Sequence, residues 1–128
     1  MQKKIQLGLK FDLQSRVMAK KKSFIAVLKE NINNKNDLFK NLAEILHFPS
    51  YFGKNWDALW DLLNDFHWIK QKEIILLHED LPSMKDGEDM KTYINILNDA
   101  ALSWKPNEAH RFLVIFPENS RETIKNLI

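Results

Sequence analysis

The chain has 128 residues, enough for one ordinary domain and too few for two, so one function is expected on one surface. Its 45% hydrophobic and 28% charged residues exclude the compositions of disordered and membrane-embedded chains. The absence of Cys excludes a disulfide framework, a thiol nucleophile and a thiolate metal site, and a reducing compartment is the expected setting. The net charge of +2 averages two unlike regions: Met1 to Lys22 holds seven basic residues and the single acid Asp12, or +6, and the remaining residues come to −4. An acidic body is poorly suited to holding phosphates and well suited to meeting a basic partner.

In Met1 to Lys22, Ile5, Leu7, Leu9, Phe11 and Leu13 alternate with Gln6, Gly8, Lys10 and Asp12. Period-two patterning predicts a half-buried strand, read as an extra edge strand on a sheet, with a basic arm that meets another molecule as the sharper alternative. The start has no apolar middle of the signal-peptide kind, and no apolar run approaches the roughly 20 residues of a membrane helix. A cytoplasmic protein that does not engage a membrane is the expectation. The chain is divided into a basic extension over residues 1–22 and a domain over 23–128.

Phe24 to Leu28, Ile74 to Leu77 and Phe112 to Phe116 are short continuous apolar runs, predicted to be strands buried on both faces. Between the first two, Leu38, Phe39, Leu42, Ile45 and Leu46 recur at helical spacing, with Asn36 available as N-cap, Asp37 in the first turn and Pro49 as the stop. A second helix is predicted from near Asn55 to about Phe66. A third carries Met90, Tyr93, Ile94, Leu97, Ala101 and Trp104 along one stripe before Lys105-Pro106. Asp80 to Gly87 reads as a polar loop, and Ser120 to Ile128 as a short terminal helix bearing Ile124 and Leu127. Strands separated by helices are usually parallel, which predicts a small α/β domain with a three-stranded parallel sheet and that possible N-terminal edge strand.

The second helix is the informative one. At about 100° per residue, Ala58, Leu59, Leu62, Leu63 and Phe66 group on the core side. Asp57, Asp61 and Asn64 fall opposite, with Asp65 and Trp60 on the flanks and Trp56 at the boundary, nearer the core than Trp60. Lys54 is the only base near these acids. Like charges one turn apart destabilise a helix, and an anion near its C-terminal end opposes the dipole. An ordinary solvated face would explain acids alone. The company of Tyr51, Trp56 and Trp60 instead suggests a binding surface, because large aromatics beside unpartnered charges are the mixture of interface hot spots.

Tyr-Phe-Gly-Lys-Asn-Trp-Asp-Ala-Leu-Trp-Asp-Leu-Leu, residues 51–63, resembles the signature segment of the barstar family, bacterial inhibitors of barnase-type ribonucleases. The order of strands and helices resembles that family from about Lys22 to Phe116. The resemblance implies a barstar-like α/β fold and a protein that plugs a ribonuclease active site with this helix and the loop before it. By motif position, Asp61 resembles the acid that takes the place of a substrate phosphate, Asp57 its flanking acid, and Tyr51 the aromatic that packs on the catalytic histidine. Gly53, Asn55, Trp60 and Asn64 resemble further contact positions, and Asp99 of the third helix a further acidic contact. Leu62 stands where the family often has Cys, and Asp65-Phe66-His67-Trp68 departs from barstar itself.

The implied partner is a cationic ribonuclease or the ribonuclease domain of a toxin, to which the protein would be the immunity factor, monomeric when free. The alternative is a barstar-fold adaptor for a basic protein of another kind. An enzyme is disfavoured, because His47, His67, His78 and His110 are scattered and none sits at ligand spacing beside Asp57 and Asp61. No metal or cofactor is expected. Direct nucleic-acid binding is disfavoured too: there is no Gly-rich phosphate loop, and the Trp residues lie beside acids in the sequence.

Overall fold

Short apolar runs rich in Ile, Leu, Val and Phe become the strands of a parallel sheet, and the amphipathic segments between them become its crossover helices. The computed structural model describes residues 8–11 and 22–128. In chain order these form β1 (Leu9–Phe11), β2 (Ser23–Leu28), α1 (Lys35–Ile45), α2 (Trp56–Leu63), β3 (Glu73–His78), α3 (Gly87–Ser103), β4 (Arg111–Phe116), a single 3₁₀ turn at Glu118–Ser120 and α4 (Arg121–Leu127). The strand order is β1-β4-β3-β2, with every neighbouring pair parallel. The predicted α/β class with its parallel sheet is what forms, with four strands among the described residues.

One face of the sheet carries the main core. Leu9, Ala26, Leu28, Ile74, Leu76, Phe112, Val114 and Phe116 meet Leu38, Phe39 and Leu42 of α1, Leu59 and Leu63 of α2, Tyr93, Ile94 and Leu97 of α3, and Ile124 of α4. Burying each large apolar side chain contributes roughly 1.5–3 kcal/mol, so this layer holds the helices in place. On the other face Ile75, Leu77 and Ile115 form a separate small cluster, with Leu113 packed against it. β3 and β4 are therefore buried on both faces, as expected of central strands. β2 is not: it is an edge strand, and Ile25 and Val27 remain 40% and 41% exposed. A continuous apolar run does not reveal which strand lies at the edge.

β1 supplies part of the predicted N-terminal edge strand, pairing Leu9 with Val114 and Phe11 with Phe116; the rest of the alternating segment lies outside the described residues. Gly8 precedes it for a steric reason. Its N–H donates to Asn98 Oδ1 at 2.6 Å, and a Cβ there would come within 2.9 Å of both Ala101 Cβ and the Asn98 carbonyl oxygen. Phe11 packs near Phe116, with the Arg121 guanidinium 4.8 Å from its ring centroid.

The helix ends follow capping chemistry, with one correction. Asn34, not Asn36, caps α1: its extended backbone lets Oδ1 accept the Asp37 N–H at 2.8 Å, whereas Asn36 lies inside the first turn. The helix ends before Pro49 because His47 turns into the left-handed region at φ 55°. Asp86 caps α3, accepting from the Glu88 N–H.

Candidate functional site

α2 is shorter than its hydrophobic pattern suggests, ending at Leu63 instead of about Phe66. Asn55 caps its start, with Oδ1 accepting the Ala58 N–H at 2.8 Å. Asn64 ends it, with Nδ2 donating back to the Trp60 carbonyl at 2.7 Å. The chain then reverses through Phe66, at φ 51°, whose ring is fully buried among Trp68, Trp104 and Phe112. A non-glycine residue at positive φ is unfavourable, and burial of the Phe66 ring offsets that cost.

The loop before α2 is held from beneath. Phe52 packs against Phe39 and Phe48, and its N–H donates to the Pro49 carbonyl. Tyr51, between these anchors, points outward and is 67% exposed. Lys54 adopts φ 53°, which swings the chain into the cap. Gly53 lies tight against that cap: a Cβ would sit 3.2 Å from Asn55 Nδ2 and 3.7 Å from Ala58 Cβ.

The outward face of α2 carries Asp57 and Asp61, one turn apart and both exposed. Neither carboxylate has a hydrogen bond or ion pair among the described residues, whereas Leu59, Leu62 and Leu63 are buried. Trp60 beside them is 38% exposed. Trp56 belongs with the core, as its boundary position suggested: it packs on Phe39 and Tyr93, and its indole N–H donates to Asp89 Oδ1 at 3.3 Å. Asp65 differs from the expectation that nothing nearby engages the acids. Its carboxylate accepts from the His67 N–H at 3.2 Å and from His67 Nδ1 at 2.8 Å, a partner two residues ahead that the helical pattern did not suggest.

α3 extends this surface. Trp56 meets Asp89 near the starts of the two helices and Asn64 meets Ser103 at their ends, so α2 and α3 run side by side in the same direction. Asp99, exposed and four residues before Ser103, lies on the same side of α3 as Ser103. The structure thus gathers Tyr51, Asp57, Trp60, Asp61 and Asp99 on the exposed surface of one loop and two helices. Asn55, Gly53 and Asn64 also serve its geometry, Asn55 and Asn64 through hydrogen bonds at the two ends of α2 and Gly53 through its small size beside the Asn55 cap. Ser103 and Asp89 were not singled out in the sequence; the signal for Ser103 was its helical spacing from Asp99.

Residues 23–117, from β2 through β4, match the sequence model of the family described as barstar (barnase inhibitor). The chain belongs to the barstar family. The match takes in α2 and α3 whole and leaves out β1 and α4. A search of curated proteins finds no match to the chain. In this barstar-family chain Leu62 is buried, so replacement of the frequent Cys changes the core and leaves the acidic face as it is. The stretch after Asn64 that departs from barstar itself holds Phe66, Trp68 and the Asp65–His67 contact, at the end where α2 stops. Among the described residues no group of three or more His, Cys, Asp or Glu is placed to hold a metal ion, and no helix is long and apolar enough to cross a membrane.

Proposed function

We propose that this protein inhibits a cationic ribonuclease by inserting the face of α2 and the Tyr51 loop into its active site, Asp61 standing where a substrate phosphate would lie. The observation that carries this reading is the pair Asp57 and Asp61: exposed, one turn apart, and unpaired among the described residues, on a rigid helix flanked by Tyr51 and Trp60. Two carboxylates without partners repel each other along the free helix. Their cost is repaid when a partner brings Arg, Lys or His side chains and water is excluded around the pairs. Tyr51 and Trp60 supply apolar area next to those charges, as hot spots do.

Family membership supports inhibition over catalysis. Asp99 on the neighbouring helix extends the acidic surface, and a ribonuclease toxin for which this protein acts as the cytoplasmic immunity factor is one target of the required chemistry. The test is an RNA-cleavage assay against small basic ribonucleases, with parent and Asp61→Ala proteins at matched melting temperature. The parent is expected to inhibit, and Asp61→Ala to lose at least about 30-fold in affinity, from the roughly 2–5 kcal/mol for truncating one member of a buried charge pair, a range informed by barnase and barstar themselves. Equal inhibition by the two proteins would refute the phosphate-mimic reading. Binding to a basic protein with no effect on its RNA cleavage would favour an adaptor.

A further inference from the structure

The starts of β2, β3 and β4 carry a positive cleft that the acidic face does not use. The parallel register sets Ser23, Glu73 and Arg111 side by side, so the residues entering these strands share one edge of the sheet. Lys22, Lys70, Lys72 and Arg111 line an open cleft of about 590 Å³ there. Among the described residues Glu73 is the only carboxylate in its wall, and it is already engaged: the Ser23 hydroxyl donates to Oε1 at 2.7 Å, and Arg111 Nη1 lies 3.7 Å from Oε2. Neither Lys22 nor Lys70 has a carboxylate partner among the described residues.

A second cavity of about 400 Å³ adjoins the first, sharing Lys72 and Arg111 and adding Trp104, Lys105 and Pro106. Trp104 is held rigidly: its indole N–H donates to the Leu63 carbonyl at 3.0 Å, one face stacks toward Phe66, and His110 meets it edge-on. It remains partly exposed to the cavity. Trp104 is followed by Lys105 in the sequence, and the fold adds Lys72 and Arg111 from two other segments.

We propose that the two adjoining cavities form a binding site for single-stranded RNA, with phosphates against Lys22, Lys70, Lys72 and Arg111 and a base against Trp104. A cationic groove next to a fixed aromatic ring is how single strands are held without sequence preference. The ring favours RNA over an anionic lipid surface or a sulfated polymer, neither of which has a base to stack. The proposed site departs from the expectation of no direct nucleic-acid contact, and it stands apart from the carboxylates of α2.

The test titrates the full chain into a fluorescent oligouridylate and follows anisotropy and tryptophan emission over a range of salt. Binding is expected with a log–log salt slope of about −2 to −3, from roughly 0.7 counterions released per phosphate contact. Lys22→Glu with Lys70→Glu is expected to weaken it by about ten-fold or more. Lys40→Glu with Lys125→Glu, the same charge change on α1 and α4, is expected to cost much less. RNA should quench tryptophan emission in the parent and much less in Trp104→Phe, and Asp61→Ala should bind RNA like the parent. Equal weakening by the two double variants, quenching unchanged in Trp104→Phe, or no binding at low salt would each overturn the proposal. So would polyphosphate, which has no bases, binding as tightly as the oligonucleotide.

Discussion

Ser103 Oγ, on the last residue of α3, donates to Asn64 Oδ1 at 2.5 Å, joining the end of α3 to the cap of α2. The same Asn64 amide donates to the Trp60 carbonyl, so one side chain both ends α2 and fixes it against its neighbour. A double-mutant cycle with Ser103→Ala and Asn64→Ala is expected to show a coupling of about 0.5–1.5 kcal/mol in urea unfolding, the usual net worth of a hydrogen bond. Independent effects of the two substitutions would show that the contact contributes nothing.

Asp57 and Asp61 should be nearly neutral for folding and decisive for binding. Asp61→Ala relieves a like-charge pair worth a few tenths of a kcal/mol, so the free protein should melt at the same temperature or slightly higher. Asp57 lies in the first turn, where the helix dipole favours an anion, so its replacement should be neutral or slightly unfavourable. Against a target ribonuclease, raising salt should slow association far more than it speeds dissociation, because steering acts over about one Debye length and screened charges lose it first. Stopped-flow association and dissociation rates at low and high salt check this.

His78 makes stability fall in acid. It is buried at the end of β3: Nδ1 donates to the Ile115 carbonyl at 3.0 Å, which leaves Nε2 to accept from the Tyr93 hydroxyl at 2.6 Å, and the ring stacks on Phe116. Full burial of the ring favours the neutral imidazole. Burial lowers its pKa from 6.5 to about 3, against a partial upward pull from the Ile115 carbonyl. The unfolded chain therefore takes up the proton first. His78 contributes no pH dependence above 6.5, and from there down to about pH 3 it removes roughly 1 kcal/mol per pH unit. Urea midpoints at pH 7, 5.5 and 4 are expected to fall more steeply for the parent than for His78→Gln; parallel curves would contradict the assignment.

β1 should contribute measurably to stability although it lies outside the segment that matches the family. Leu9 is buried, Gly8 is hydrogen-bonded to Asn98, and Phe11 packs near Phe116. Deleting residues 1–11 is expected to lower the melting temperature by several degrees, as loss of a buried Leu and its strand pairing implies. Gly8→Val should be destabilising even in the full chain, since no room exists beside Ala101. A deletion that melts like the parent would show that β1 adds nothing.

The sequence by itself determined what depends on near neighbours. Helical spacing put Leu59, Leu62 and Leu63 inward and Asp57 and Asp61 outward, and the start of α2 was placed near Asn55, because a helix face is set by residues three and four apart. The barstar-like segment was legible for the same reason, being one continuous stretch. Tertiary structure alone decided the rest. Strand order made β2 an edge and left Ile25 and Val27 exposed, although its apolar run looked like that of β3. Helix packing brought Asp99 onto the same surface as α2, and the parallel register gathered Lys22, Lys72 and Arg111 from three distant segments around one cleft. Such placements depend on which buried faces meet across long sequence separations, and periodicity along one segment carries no record of them.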